Sequence, residues 1–403
     1  MMKPFGKLLD FDSALAAIIH NICPVEAIEQ VEIDSLLGRV LAENILATMS
    51  IPPFNRAAMD GYAVIAEETF GAGRRNPKQF PVVGRIYAGD SPEQYLKNGQ
   101  VIQIATGAPM PKGADSVVMV EETEKFGDDV SIFKAVYPGA NIGKIGEDIK
   151  QGDLILKKGT VFDPGQIGVL ASQGLSSAKV YIRPKVAVMP TGEEIAQAGQ
   201  KLLPGQIFDI NSHTIAAVVR QSGGDPLKLP IAEDKKAQLR VAIKKALGAD
   251  MVVISGGSSV GERDLMFDIL EELGQVIFHG IQVKPGKPTM FALVQGKPVL
   301  GMPGYPTSCL INAHLLLSPA VKRMANLPIK TKNTINAVLS HSVPGSVGRR
   351  QFLPVKIVEN QAVPLFKESG AITATAEADG YLDIEPNIDI LEKGETVEVF
   401  LFS

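Results

Sequence analysis

Tryptophan is absent from this chain, and cysteine occurs only twice, at Cys23 and Cys309. With no CxxC pair and no Cys/His cluster, neither a disulfide framework nor a structural zinc site is expected. The five histidines are scattered, none at metal-ligand spacing from another. No run of about 18 uncharged apolar residues occurs, so no membrane span is expected. The opening MMKPFGKLLDFDSALAAIIHNICP has a short apolar stretch broken by Asp10, Asp12 and His20, which reads as an amphipathic helix rather than a signal peptide. A formal charge of -4 and a pI near 5.9 provide no general basic field for a nucleic-acid backbone. These absences lead to a soluble, reduced, cytoplasmic protein that binds neither nucleic acid nor membrane.

What is present is apolar material for several cores. Hydrophobic residues make up 45% of 403 positions, and at roughly 100 to 200 residues per domain the chain should hold two to four. Helical spacing of Leu15, Ile18, Ile19 and Ile22, and again of Leu36, Leu37, Val40 and Leu41, predicts two helices. From residue 50 to 141 glycine and proline recur between short runs such as Val82-Val83, Val101-Ile104 and Val117-Val120, which predicts a small β-rich domain. Mixed short elements from 142 to 180 are grouped with residues 1–49. From Lys185 apolar runs alternate with Gly/Ser/Asp turns and amphipathic helices, the pattern of a parallel sheet covered by helices over 181–327. Beyond Pro328 the helices should stop, leaving a small β domain over 328–403.

Several stretches can carry chemistry. The segment ISGGSSVGERD, residues 254 to 264, joins the apolar strand Met251 to Ser255 to a helix whose inner stripe is Leu265, Met266, Ile269, Leu270 and Leu273. Such a turn leaves backbone N–H groups aimed at one spot where an anion is favoured, so it is either a phosphate cradle or a plain tight turn. It matches neither GxxxxGK[ST] nor GxGxxG, the ATP and dinucleotide fingerprints. In VKPGKPT, two prolines stiffen a turn presenting Lys284 and Lys287, which repel unless an anion lies between them. Carboxylates follow other strand ends: Glu193 and Glu194, Asp234, and Asp264. In an open α/β sheet these ends share one crevice, where carboxylates beside a phosphate cradle suit Mg²⁺; each taken singly is also a possible helix cap. GMPGYPTSCL is another strand–turn–helix junction, and Asp60, Thr106 and Asp148 stand in Gly/Pro-rich loops where turn capping would also explain them.

Taken in order, PPFNRAAMDGYAV, TGAPMPKGADSVVMVEE, GEDI, PTGEE, DINS, SGGSSVGERD, KPGKP and MPGYPTS resemble the molybdopterin molybdenumtransferase family, to which bacterial MoeA and the E domain of gephyrin belong. The resemblance runs through nearly the whole chain. It implies an α/β multidomain fold: a central doubly wound, mostly parallel domain of the molybdopterin-binding type, a β-rich insertion domain, a helical/mixed domain for dimerisation and a small barrel-like C-terminal β domain. It implies the last step of molybdenum cofactor synthesis: Mg²⁺-dependent insertion of molybdate into adenylylated molybdopterin, with release of AMP. A homodimer with the active site between subunits is expected, with transient contact to the molybdopterin adenylyltransferase. Tungstate insertion, molybdopterin adenylylation and a gephyrin-like scaffold are the alternatives.

Carried over by motif, Glu194, Asp234 and Asp264 match metal and diphosphate positions. Ser259, Lys284 and Lys287 match positions near molybdate, and Arg350 and Ser369 match catalytic positions of the last domain. Asp60, Thr106, Asp148, Thr191, Gly256, Gly257, Gly261, Pro303 and Pro306 match substrate-binding positions. Two departures stand out: Tyr305 replaces the asparagine of the family's PGNP, and Gly280 stands where many relatives carry a lysine or arginine.

Overall fold

The computed structural model describes residues 8–91, 94–256, 265–329, 333–367 and 370–402, which form two compact units. One contains the described residues up to Gln30, Gly38–Ala42 and Lys179 onward; the other contains Val31–Leu37 and Glu43–Ala178.

The first unit is built on a six-stranded sheet in the order Asp225–Lys228, Lys185–Pro190, Met251–Ser255, Lys297–Met302, Met290–Val294, Gly274–His279. The first four strands run parallel; Met290–Val294 pairs antiparallel with both its neighbours. Unbroken apolar runs such as VAVM and MVVI make such strands, since both faces are covered. On one face Ile215, Val218 and Val219 of helix Asn211–Gln221, with Leu316 and Val321 of the helical run 306–324, pack against Val186, Val188, Val253 and Leu300. On the other, Leu239 and Ile243 of Lys236–Ala246 and Met266, Ile269 and Leu270 of Leu265–Leu273 cover Ala187, Met189, Val252 and Ile254. The stripe expected on the latter helix is complete, with Leu265 and Leu273 at its margin. Each such buried side chain contributes about 1.5–3 kcal/mol of transfer free energy.

The run 306–324 widens into a π-helical turn over Ala313–Leu317. Within it His314 lies against Phe402, ring centroids 4.8 Å apart, and burial, aided by Lys322, pushes its pKa down to about 4. The unfolded chain takes up that proton near pH 6.5 and the folded one only near 4, so stability is lost as pH falls through this window. Denaturant midpoints at pH 7 and pH 5 should show a loss of about 2 kcal/mol that His314→Phe abolishes; an equal pH dependence in the variant would contradict this.

The C-terminal strands Thr334–Leu339, Arg350–Val358, Gln361–Pro364, Gly380–Ile384 and Thr396–Leu401 close into a five-stranded barrel, because Arg350–Val358 pairs with both Gln361–Pro364 and Gly380–Ile384. Closure leaves no long exposed edge. Its core holds Leu339, Val355, Leu382 and Val399. One helix interrupts this region, contrary to the expectation of strands alone: Thr373–Glu377, in an alanine-rich segment with good helix propensity.

The helix Phe11–His20 forms as expected, with the Asp10 carboxylate accepting from Ser13 N at 2.8 Å. Its inner stripe is rotated from the one expected. Phe11, Ala14, Ile18 and Ile22 are buried, and they pack in the core of the first unit with Val283, Leu316 and Phe352. The second expected helix does not form. Ile33–Ser35 is a single 3₁₀ turn, and Leu41 sits instead in an antiparallel bridge to Val180, flanked by Tyr181 N to Val40 O and Ala42 N to Lys179 O at 2.9 Å each. Backbone pairing to a segment far along the chain outweighs the weak local preference for helix.

The second unit carries another six-stranded sheet, in the order Ser116–Met119, Gly61–Val64, Val101–Ile104, Lys78–Ile86, Asp129–Ile132, Thr123–Phe126. The strand-like runs singled out by composition all lie on it or at its ends. Here too Leu154–Leu156 pairs antiparallel with Ile45–Leu46, and Pro164–Ser172 forms a helix with Asp163 and Gln166 in a capping box.

Candidate active site

Strand Lys185–Pro190 is the switch point of the first unit's sheet: the chain leaves it towards Asp225–Lys228 on one side and returns as Met251–Ser255 on the other. Ligand crevices form at such points, outside the carboxyl ends of the strands. Pro190 stands in register with Ser255, and Ser255 with Met302, so Thr191, Gly256 and Pro303 emerge side by side. Thr191 N donates to Ser255 O at 2.9 Å. Gly256 takes φ +94°, and a Cβ there would lie 2.5 Å from Thr191 O, so no other residue fits without displacing the backbone.

Beyond these ends opens a cleft of about 940 Å³. Thr191 and Glu194, Gly256, the turn Lys284–Pro288 and the turn Pro303–Pro306 line it, and so do Arg349, in the bend before the barrel strand that starts at Arg350, and Gln351 and Phe352 on that strand. The short strand Val283–Lys284 pairs in parallel with Arg350–Gln351, which brings the lysine turn beside the barrel. Lys284 is exposed and Lys287 half-buried, both on the cleft. Asn211, of the segment DINS, donates from Nδ2 to Gly304 O at 2.8 Å and ties the PGYP turn to the start of its own helix. Tyr305, 67% exposed, stands at the cleft mouth, with Pro306 opening the following helix as expected.

Oxygen donors gather at the Thr191 end. Thr191 pairs with Ala232 in a parallel bridge, which sets Asp234 alongside. Asp234 Oδ1 and Thr191 Oγ1 are buried without a hydrogen-bond partner among the described residues. Burial, and then the Glu194 carboxylate, raise the Asp234 pKa above the usual range, with the Thr191 hydroxyl partly opposing. A carboxyl whose charge is disfavoured by burial and by the Glu194 carboxylate, beside the Thr191 hydroxyl, belongs to the hard donor set that a divalent cation relieves. No third His, Cys, Asp or Glu joins them among the described residues; Asp264, the third expected ligand, lies outside those residues. Mg²⁺ usually keeps several waters and needs only one or two carboxylates, so the set fits it.

Family comparisons resolve what this crevice belongs to. Residues 9–174 match the MoeA N-terminal region (domain I and II), 187–323 a probable molybdopterin binding domain, and 336–402 the MoeA C-terminal region (domain IV). The molybdopterin molybdenumtransferase of Staphylococcus epidermidis is 33% identical over 378 residues, 92% of this chain and 90% of that protein. Molybdopterin molybdenumtransferase 2 of Mycobacterium tuberculosis is 34% identical over 374 residues, 90% of this chain and 92% of that one. A solved structure of the molybdopterin biosynthesis MoeA protein from Pyrococcus horikoshii superposes with a TM-score of 0.84 at 41% identity, over 98% of this chain and 100% of that one. This chain belongs to the molybdopterin molybdenumtransferase (MoeA) family.

It is therefore a transferase of molybdenum cofactor biosynthesis. Not every expected residue of this molybdenumtransferase reaches the cleft. Arg350 is not on its lining: its Nε donates to Asp383 Oδ1 at 2.6 Å, its Nη2 to Asp383 Oδ2 at 2.9 Å and its Nη1 to Asp12 Oδ2 at 2.9 Å, and Phe11 and Phe352 flank it. The neighbour Arg349 lines the cleft instead. Arg349 sits in the bend just before the strand and Arg350 opens it, so "RR" leaves one guanidinium held by carboxylates and one at the site. Ser259, Gly257, Gly261, Asp264 and Ser369 lie outside the described residues.

Asp60, Thr106 and Asp148 are in the second unit. Thr106 N donates to Asp60 Oδ1 at 2.7 Å, and Asp148 N to Ile51 O at 3.1 Å, so the segment 51–60 joins all three loops. Gly280 holds φ +95°, a conformation strained for a lysine or arginine in its place. Among the described residues no helix is long and apolar enough to cross a membrane.

Proposed function

We propose that the cleft inserts molybdate into adenylylated molybdopterin, with Mg²⁺ bound and AMP released. The observation that carries this reading is the charge layout of one crevice: Lys284, Lys287 and Arg349 among its lining, with Glu194 at the Thr191 end beside Asp234. A tetrahedral dianion is drawn to the cations, two of which stand on a stiff turn while the third, Arg349, adjoins the start of a barrel strand. Glu194, Asp234 and the Thr191 hydroxyl would hold Mg²⁺, which supplies neutralisation of diphosphate charge when bound. Phe352, Leu353 and Pro354 make an apolar wall on one side of the crevice, where lower polarity strengthens each of these attractions. Attack of one water on a phosphorus of the phosphoanhydride then breaks the bridging P–O bond, leaving AMP and the molybdopterin phosphate, with the protons of that water passing to solvent.

The test offers purified protein molybdate or tungstate with adenylylated molybdopterin, and separately ATP with plain molybdopterin. Oxyanion-dependent AMP release supports the proposal; adenylylation of plain molybdopterin without it would replace it. For the metal, Asp234→Asn is expected to raise the Mg²⁺ concentration giving half-maximal AMP release at least tenfold, as one ligand charge is lost. An unchanged Mg²⁺ titration would remove Asp234 from the metal site. A homodimer belongs to the same reading, and light scattering near twice 43.0 kDa tests it.

A further inference from the structure

Behind the lysine turn lies a buried amide that no motif pointed to. Asn312, the last residue of the helix Pro306–Asn312, is 1% exposed. Its Nδ2 donates to Gly286 O at 3.1 Å and to Thr289 Oγ1 at 2.7 Å, and the Thr289 hydroxyl donates to the same Gly286 O at 2.8 Å. Both N–H groups of the amide are thereby used, which fixes the orientation of the side chain. Asn312 Oδ1 finds no partner among the described residues. A leucine would fill this space without leaving a polar atom unpaired, so packing alone does not account for an amide here.

The turn above it is moulded to that amide. Gly286 takes φ +103°, and a Cβ on it would lie 2.3 Å from Asn312 Nδ2, so turn backbone and amide are in direct contact. The carbonyl of Lys287 accepts from Ile281 N at 3.0 Å and Thr289 N at 2.9 Å, and Thr289 O accepts from Gly280 N at 2.8 Å. Gly286 and Thr289, the two points gripped by Asn312, bracket Lys287 on either side. Lys284 is fixed in turn by its ladder with Gln351.

We infer that Asn312 is a positioning residue for oxyanion capture: its amide sets the backbone of residues 284–289 so that the two lysines stand at one spacing before the anion arrives. The inference rests on the reading of Lys284 and Lys287 as an oxyanion clamp. Two like charges on a loose turn would move apart, and an anion would have to restore their spacing at the cost of its own affinity.

The experiment is titration calorimetry of molybdate into the full-length protein, comparing wild type, Asn312→Leu, Asn312→Asp, Thr289→Val and Lys287→Ala. Asn312→Leu and Asn312→Asp are expected to raise the molybdate Kd at least tenfold, and Thr289→Val about threefold. In turnover, the Asn312 variants should raise KM for molybdate while KM for adenylylated molybdopterin stays within twofold, a split that general damage to the core would not give. Undiminished binding by Lys287→Ala would overturn the clamp itself. Weakened binding by Lys287→Ala, with both Asn312 variants within twofold of wild type, would overturn only the role of Asn312. Should the Asn312 variants fail to fold, hydrogen exchange in the wild type decides: the amides of Gly280, Ile281 and Thr289 should be strongly protected, and exchange at the rate of an open loop would refute the inference.

Discussion

Lys287→Ala is expected to lower kcat/KM for molybdate by roughly a hundredfold or more, the scale of one preorganised charged donor removed from its site. Lys287 is half-buried, its backbone carbonyl is held by two amides, and the turn around it is braced from below. The replacement removes the cation and leaves the turn, so the folded structure should persist and the thermal midpoint shift little. Lys287→Arg should recover only part of the loss, because a planar fork replaces a point charge on a fixed stem. Initial rates of AMP release against molybdate concentration check this, and a variant with wild-type kcat/KM would remove Lys287 from the chemistry.

The second large effect falls on stability. Arg350→Ala should destabilise the first unit by about 3–5 kcal/mol, because it leaves Asp383, whose side chain is only 5% exposed, as a buried charge without its bidentate partner. At ~2–4 °C per kcal/mol for a unit of this size, the thermal midpoint should fall by roughly 6 to 20 °C. Arg349→Ala, by contrast, should leave the midpoint nearly unchanged and reduce turnover, since Arg349 is exposed and lines the cleft. Calorimetric scans beside initial rates separate the two. A stable Arg350→Ala protein without activity would return Arg350 to the site and contradict its structural assignment.

The pair Arg349–Arg350 also shows where the sequence was legible and where it was not. Apolar runs closed by glycine-rich turns and followed by helical stripes led correctly to the central sheet, and motif order led to the family. Both signals depend on neighbours within a few positions. Which arginine faces the cleft depends on the pairing of strand Arg350–Val358 with Val283–Lys284 and with Gly380–Ile384, contacts made across tens of residues. The helix expected around Leu36 to Leu41 failed for the same reason, its last two residues being claimed by a segment near residue 180. Asn312 was missed because a lone amide in an apolar helix looks like an ordinary core position until the turn above it is seen. Asp234 was readable as a carboxylate after a strand, but its orphaned oxygen and raised pKa come from burial that no spacing reveals.

The strand that opens at Arg350 has one further implication. Leu9 bridges Ile281, Arg350 N donates to Gln282 O at 3.0 Å, and Gln351 pairs with Lys284 on one edge and Ile384 on the other. A ribbon of backbone hydrogen bonds thus runs from the first helix, under the lysines, into the barrel. The floor and far wall of the crevice must therefore swivel together, and a hinge between them would have to tear that ribbon. Entry and exit of a guest within this unit then fall to individual side chains at the rim, such as Tyr305 and Lys284, and the width of the doorway is inherited from folding.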